Sequence, residues 1–132
     1  MYFMDTGLMC YLVGWKTYEQ ARNGAMSGNI FETFVVSEII KSYYNAGKEI
    51  KDTLFYYRDK DKKEIDLLIL EDGIIHPIEI KSSASVNKNM IKNFSVLDNN
   101  KEISVGRGAV ICLSENIVPI TESVDALPIE YM

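Results

Sequence analysis

The chain has 132 residues, 47% of them hydrophobic and 25% charged, with a formal net charge of −5. That is enough apolar material for one globular domain spanning 1–132 with a real core, and the acidic balance excludes a protein that coats nucleic acid by bulk electrostatics, while leaving local binding open. Seven of the fourteen basic residues fall between Arg58 and Lys92, so the positive charge is concentrated in one stretch.

In chain order, residues 1–4 read as a short extended lead-in. Asp5-Thr6 caps a helix that runs to about Val13 and stops at Gly14. Residues 15–25 carry a mixed composition and read as a connecting segment. The strongest helix begins near Ser27 or Asn29 and ends at Gly47. At about 100° per residue, Val35, Val36, Ile39 and Tyr43 form one stripe with Glu32 in its middle. A carboxylate there is costly to bury unless it is paired or binds metal; a salt-bridged residue near the helix start is the plain alternative. Glu38 falls nearer Lys41, Ser42 and Asn45 and reads as surface.

Residues 53–59 (TLFYYRD) are rich in β-formers and predict a strand, followed by a charged turn at 60–63. Two alternating runs, 64–70 and 74–81, then flank Asp72-Gly73, a dipeptide that favours a two-residue hairpin turn. Such a turn fixes the register: Glu71 faces Ile74, Leu70 faces Ile75, and Asp66 falls opposite Glu79. Opposed side chains share a face with Cβ atoms roughly 4.5–5.5 Å apart, and Lys81 points to that face as well. Ile65, Leu67, Ile69, Ile78 and Ile80 point to the other, the core face. Two carboxylates and an ammonium are thereby brought together. Like charges at that distance are destabilising unless a cation lies between them, and a hard divalent cation is a natural candidate. The plain alternative is a pair of solvated residues on the wet face of a hairpin, with Lys81 as a diagonal counter-charge.

Beyond the hairpin, residues 86–98 place Val86, Met90, Ile91, Phe94 and Leu97 at helical spacing, with Lys88 and Lys92 opposite. Residues 108–113 (GAVICL) suit a fully buried strand reached through that helix. Residues 117–120 and 126–131, broken by Pro119 and Pro128, read as edge strands or a closing tail. Cys10 and Cys112 lie far apart in apolar runs and read as buried free thiols, which fits a reducing, cytoplasmic setting. No stretch approaches the roughly 18 apolar residues of a membrane span, and no signal peptide is evident. His76 pairs with Ile69 on the core face and reads as structural. Trp15 and the tyrosines at 43, 44, 56 and 57 read as packing residues rather than base-stacking platforms.

The pattern Gly28-x-x-Phe31-Glu32-x-x-Val35-x-x-Glu38, then Glu64-Ile65-Asp66, then Ile78-Glu79-Ile80-Lys81-Ser82, resembles the PD-(D/E)XK nuclease superfamily. More narrowly, YFMDTGL, YYRDKDKKEIDLLI and ALPIEYM resemble the uncharacterised domain found C-terminal to the AAA-type ATPase module of many bacterial and archaeal proteins. The resemblance implies an α/β fold with a restriction-endonuclease-like αβββαβ core, a mixed central sheet flanked by helices. It also implies metal-dependent phosphodiester hydrolysis of DNA. Asp66 and Glu79, with the Ile80 carbonyl, would hold Mg²⁺ or Mn²⁺, Glu32 would be a further ligand, directly or through water, and Lys81 would orient the attacking water or neutralise phosphate charge. Lysine suits this as a compact cation whose pKa drops when desolvated. Arg58, Lys88 and Lys92 are the candidate DNA contacts. Two departures stand out: Ile65 takes the place of the proline that begins motif two, and no G-x-x-x-x-G-K-[ST] sequence is present. The chain therefore reads as a C-terminal fragment or stand-alone version without its ATPase module, the implied partner. The alternatives are a non-catalytic docking module for DNA or a partner, and an oligomerisation domain built on aromatic segments such as Phe55-Tyr56-Tyr57.

Overall fold

The computed structural model describes residues 4–24 and 26–132; most of the expected lead-in, 1–3, and Ala25 of the connecting segment lie outside them. Helix α1 (Thr6–Leu12) starts where Asp5 Oδ1 accepts the Leu8 amide hydrogen at 2.9 Å, and it stops before Gly14, whose φ of +77° is the left-handed conformation glycine adopts freely. The segment expected to be a plain connection instead holds a second helix, α2 (Tyr18–Asn23). Thr17 and Gln20 explain it. Thr17 Oγ1 accepts from the Gln20 amide at 3.2 Å while Gln20 Oε1 accepts from the Lys16 amide at 2.7 Å, a reciprocal cap of the S/T-x-x-Q kind. Trp15 packs against Gly24, where a Cβ would overlap the indole ring.

Helix α3 (Ser27–Asn45) is the long helix that the sequence predicts. It ends in paired turns: the Lys48 amide reaches the Tyr43 carbonyl at 2.9 Å and the Gly47 amide the Tyr44 carbonyl at 2.9 Å, with Gly47 at φ +69°. Strands β1 (Leu54–Arg58), β2 (Glu64–Glu71) and β3 (Ile74–Ile80) follow as an antiparallel meander. Asp72 and Gly73 turn the hairpin with φ of +51° and +78°, the twist that joins two strands through two residues. Residues Lys88–Asn99 then form a 3₁₀ helix, unusually long for that type. Its Ile91, Phe94 and Leu97 recur every three residues, which suits the 3₁₀ period as well as the α period.

The remaining strands are β4 (Ser104–Val105), β5 (Gly108–Cys112), β6 (Val118–Thr121) and β7 (Val124–Pro128). The seven strands make one mixed sheet of order β1-β2-β3-β5-β7-β6, with β4 paired to β3. Pairings β3–β5 and β5–β7 are parallel and β6–β7 is antiparallel. Strand β7, expected at an edge or in a tail, lies inside the sheet between β5 and β6, and Pro128 ends it. Proline donates nothing to a ladder, which suits it to the last position of a strand.

Both faces of the sheet are covered. Val35 and Val36 of α3 pack with Leu67, Ile78, Ile80, Ala109 and Ile111. On the opposite face Val110, Cys112, Val124 and Ala126 pack with Phe94 and Met90 of the 3₁₀ helix. Strand β5 feeds alternate residues to each layer, which is why all five are buried. Cys112 is a buried free thiol as expected, whereas Cys10 is only partly buried. Among the described residues no helix is long and apolar enough to cross a membrane.

Candidate functional site

The hairpin register holds from Glu71↔Ile74 to Leu67↔Ile78, as the Asp72-Gly73 turn dictates. One residue further the expected Asp66↔Glu79 pairing is not made. The reason lies on the other side of β2. Phe55 pairs with Leu68 but Tyr57 pairs with Ile65, so Asp66 and Leu67 together oppose Tyr56. This is a β-bulge, which inserts a residue, breaks alternation and re-aims a side chain. Two corrections follow. Ile65 does not share the α3-facing layer with Leu67; it packs on the opposite face with Leu68 and Leu97. Asp66, instead of facing Glu79 across a regular ladder, turns its Oδ2 to accept the Ile80 amide hydrogen at 2.7 Å.

The two carboxylates meet all the same, through Lys81. Its Nζ lies 2.6 Å from Glu79 Oε1 and 3.8 Å from Asp66 Oδ2. Glu79 is 5% exposed and the Asp66 side chain 12%, so neither is a solvated residue on a wet face. The second Glu79 oxygen, Oε2, is buried with no hydrogen-bond partner. Burial, reinforced by the charges of Asp66 and Glu32 and opposed by the Lys81 hydrogen bond, raises the Glu79 carboxyl to about 7. Asp66 is raised by burial too, with the Ile80 amide and Lys81 pulling the other way. Lys81 departs from the expected drop. Desolvation lowers it, but the bond to Glu79 and the charges of Asp66, Glu79 and Glu32 outweigh that, and it is held above its ordinary value as an ammonium.

The other predicted residues fall around this centre. Glu32 lines a cavity of about 280 Å³ beside Asp66, together with Tyr56, Tyr57, Arg58 and Glu64. It does not complete a ligand cluster: among the described residues no group of three or more His, Cys, Asp or Glu is placed to hold a metal ion. Glu38 pairs with Lys41 at 2.7 Å on the surface, as expected. Arg58 Nε bonds Glu64 Oε1 at 3.0 Å at the cavity rim. Lys88 and Lys92 are exposed on the 3₁₀ helix and do not line the cavity. His76 sits opposite Ile69 as expected, with Nδ1 2.9 Å from the Arg107 carbonyl oxygen. Tyr44 and Tyr56, expected to pack, are exposed, Tyr56 to 72%. The cavity-lining roles of Tyr56 and Glu64 were missed; the bulge that places them next to Asp66 leaves no local mark in the strand pattern.

Residues 27–132 match the family model described as Domain of unknown function (DUF4143). The chain belongs to the DUF4143 family. No curated protein and no solved structure matches it. The DUF4143 match begins at Ser27, the first residue of α3, so α1 and α2 lie outside the matched region while Glu32, Asp66, Glu79 and Lys81 all lie within it.

Proposed function

We propose that this DUF4143 domain hydrolyses phosphodiester bonds of DNA with a divalent cation, Mg²⁺ or Mn²⁺, on a restriction-endonuclease-like αβββαβ core, in the service of an attached ATPase module. The observation that carries this reading is the Glu79 carboxylate, buried beside Asp66 with one oxygen on Lys81 and the other without a donor. Leaving a buried acceptor unmet costs about 1–3 kcal/mol, a cost that a site built for a cation recovers on binding. The donor set fits a hard ion. Mg²⁺ is commonly held by one or two carboxylates with water and substrate phosphate completing its shell, and Asp66 and Glu79, with the Ile80 carbonyl, would supply the protein's share.

When bound, the ion supplies Lewis acidity toward the phosphoryl oxygens. The chain's own groups do the rest. The Ile80 amide fixes the Asp66 carboxylate. Lys81, kept cationic by its acidic neighbours, stabilises negative charge developing on the phosphate and is no general base. Glu32, across the cavity from the β-sheet residues, orients water. The direct test is cleavage of plasmid and oligonucleotide DNA in Mn²⁺. Cleavage is expected, with loss on EDTA treatment and a fall of at least about a hundredfold in Asp66→Asn and Lys81→Met; equal activity in the parent and both variants contradicts the assignment.

A second reading, the non-catalytic docking module, is favoured by one feature: the carboxylates already share the Lys81 ammonium, and among the described residues no group of three or more His, Cys, Asp or Glu is placed to hold a metal ion. It predicts binding of DNA or a protein partner that is indifferent to EDTA and unaccompanied by cleavage.

A further inference from the structure

The cavity beside Asp66 has a composition that the carboxylate chemistry does not require. Tyr56 is 72% exposed on β1, an edge strand, directly opposite the Asp66-Leu67 bulge. Tyr57 is partly buried against the Ile65, Leu68 and Leu97 cluster, which anchors the adjoining strand. At the rim the Arg58 guanidinium is held by Glu64 at 3.0 Å. The volume, about 280 Å³, falls just below the roughly 300–1,000 Å³ span of drug-sized ligand pockets, room for one small planar group.

Charge selects what that group is. Glu32, Glu64 and Asp66 line the cavity, so a phosphate is repelled from its interior. The same carboxylates accept hydrogen bonds from the exocyclic amino groups of nucleobases. A tyrosine ring and a guanidinium plane are the platforms on which bases stack without regard to sequence. A base inside a duplex presents neither its face nor its pairing edge.

We propose that this cavity receives one unpaired nucleobase, and that the domain therefore engages single-stranded DNA in preference to duplex. The inference deepens the phosphodiester reading and rests on it: because the cavity shares Asp66 with the carboxylate pair, a base seated there carries its own phosphodiester toward Glu79 and Lys81.

Fluorescence anisotropy in EDTA tests this apart from any cleavage. The probe is a labelled mixed-sequence DNA oligonucleotide without self-complementarity, used as a single strand and as its duplex. The single strand is expected to bind at least about tenfold more tightly, and Tyr56→Ala to weaken it about tenfold, while Tyr56→Phe retains the ring and the affinity. Tyr44→Ala, at an exposed tyrosine on α3 that does not line the cavity, leaves binding unchanged. Equal affinity for the two forms, no binding of either, or indifference to Tyr56→Ala overturns the inference. Should Mn²⁺-dependent cleavage persist alongside any of these results, the phosphodiester reading stands and only the base cavity falls. Should single-strand binding depend on Tyr56 while no variant of Asp66 affects cleavage, the cavity stands and the cleavage reading falls.

Discussion

At Glu79, burial raises the carboxyl from 4.5 to about 7, so between those values the folded chain holds a proton that the unfolded chain has released. Stability therefore falls as pH rises through that window, because the folded state is the one binding more protons. Asp66 is shifted in the same direction and adds to the trend. In metal-free protein the unfolding free energy from urea titration is expected to drop between about pH 4.5 and about pH 7, by an amount on the order of 2 kcal/mol, and the urea midpoint with it. Glu79→Gln, which carries no charge to desolvate, flattens that slope; a midpoint that rises with pH over the same interval contradicts the assigned cause. Lys81→Met leaves Glu79 Oε1 as bare as Oε2. It is expected to cost about 1–3 kcal/mol at neutral pH and less in acid, where Glu79 is protonated.

Among the elements, α3 sets the site's depth and its ending is the easiest to probe. Nothing crowds the Cβ position of Gly47, so Gly47→Ala isolates the left-handed backbone requirement and is expected to lower stability by about 1–2 kcal/mol in thermal unfolding. An unchanged melting temperature means that the paired turns after Asn45 do not hold the helix end. The β2–β3 hairpin was legible because its signals are local: Asp72-Gly73 sets the turn and alternation sets the register as far as Leu67↔Ile78; counting puts Glu79 and Lys81 on one face, whereas Asp66 reaches them by way of the bulge and not by the expected cross-strand pairing. Strand β5 was legible as an unbroken apolar run, which only a doubly covered strand needs. What escaped is set from a distance. The bulge that moves Ile65 to the other face arises from how β1 pairs with β2, and β7 becomes interior only because it inserts beside β5. Helix α2 is a different case, since the Thr17-x-x-Gln20 cap was in plain sight within an otherwise uninformative segment.

For the molecule as a whole, a net charge of −5 leaves few cations for a phosphate backbone. Arg58, Lys88 and Lys92 are three candidates, and Arg58 is already partnered by Glu64. Release of about 0.7 counterion per phosphate on a single strand then gives a slope of log affinity against log salt no steeper than about −2. Anisotropy titrations over a salt series check this, and a slope beyond about −4 means that cations other than these three contact the phosphates. On the proposed reading, affinity that survives salt comes instead from the stacking surface at Tyr56, next to the carboxylates, since Asp66 lines the cavity and also lies beside Lys81. The most direct measurement is a calorimetric Mn²⁺ titration of the chain, Asp66→Asn and Glu79→Gln, each with the single-stranded oligonucleotide present to complete the coordination shell. Binding by the parent, weakened at least about tenfold in each variant, is the predicted result; no binding by the parent, or identical binding by all three, contradicts a cation site at Asp66 and Glu79.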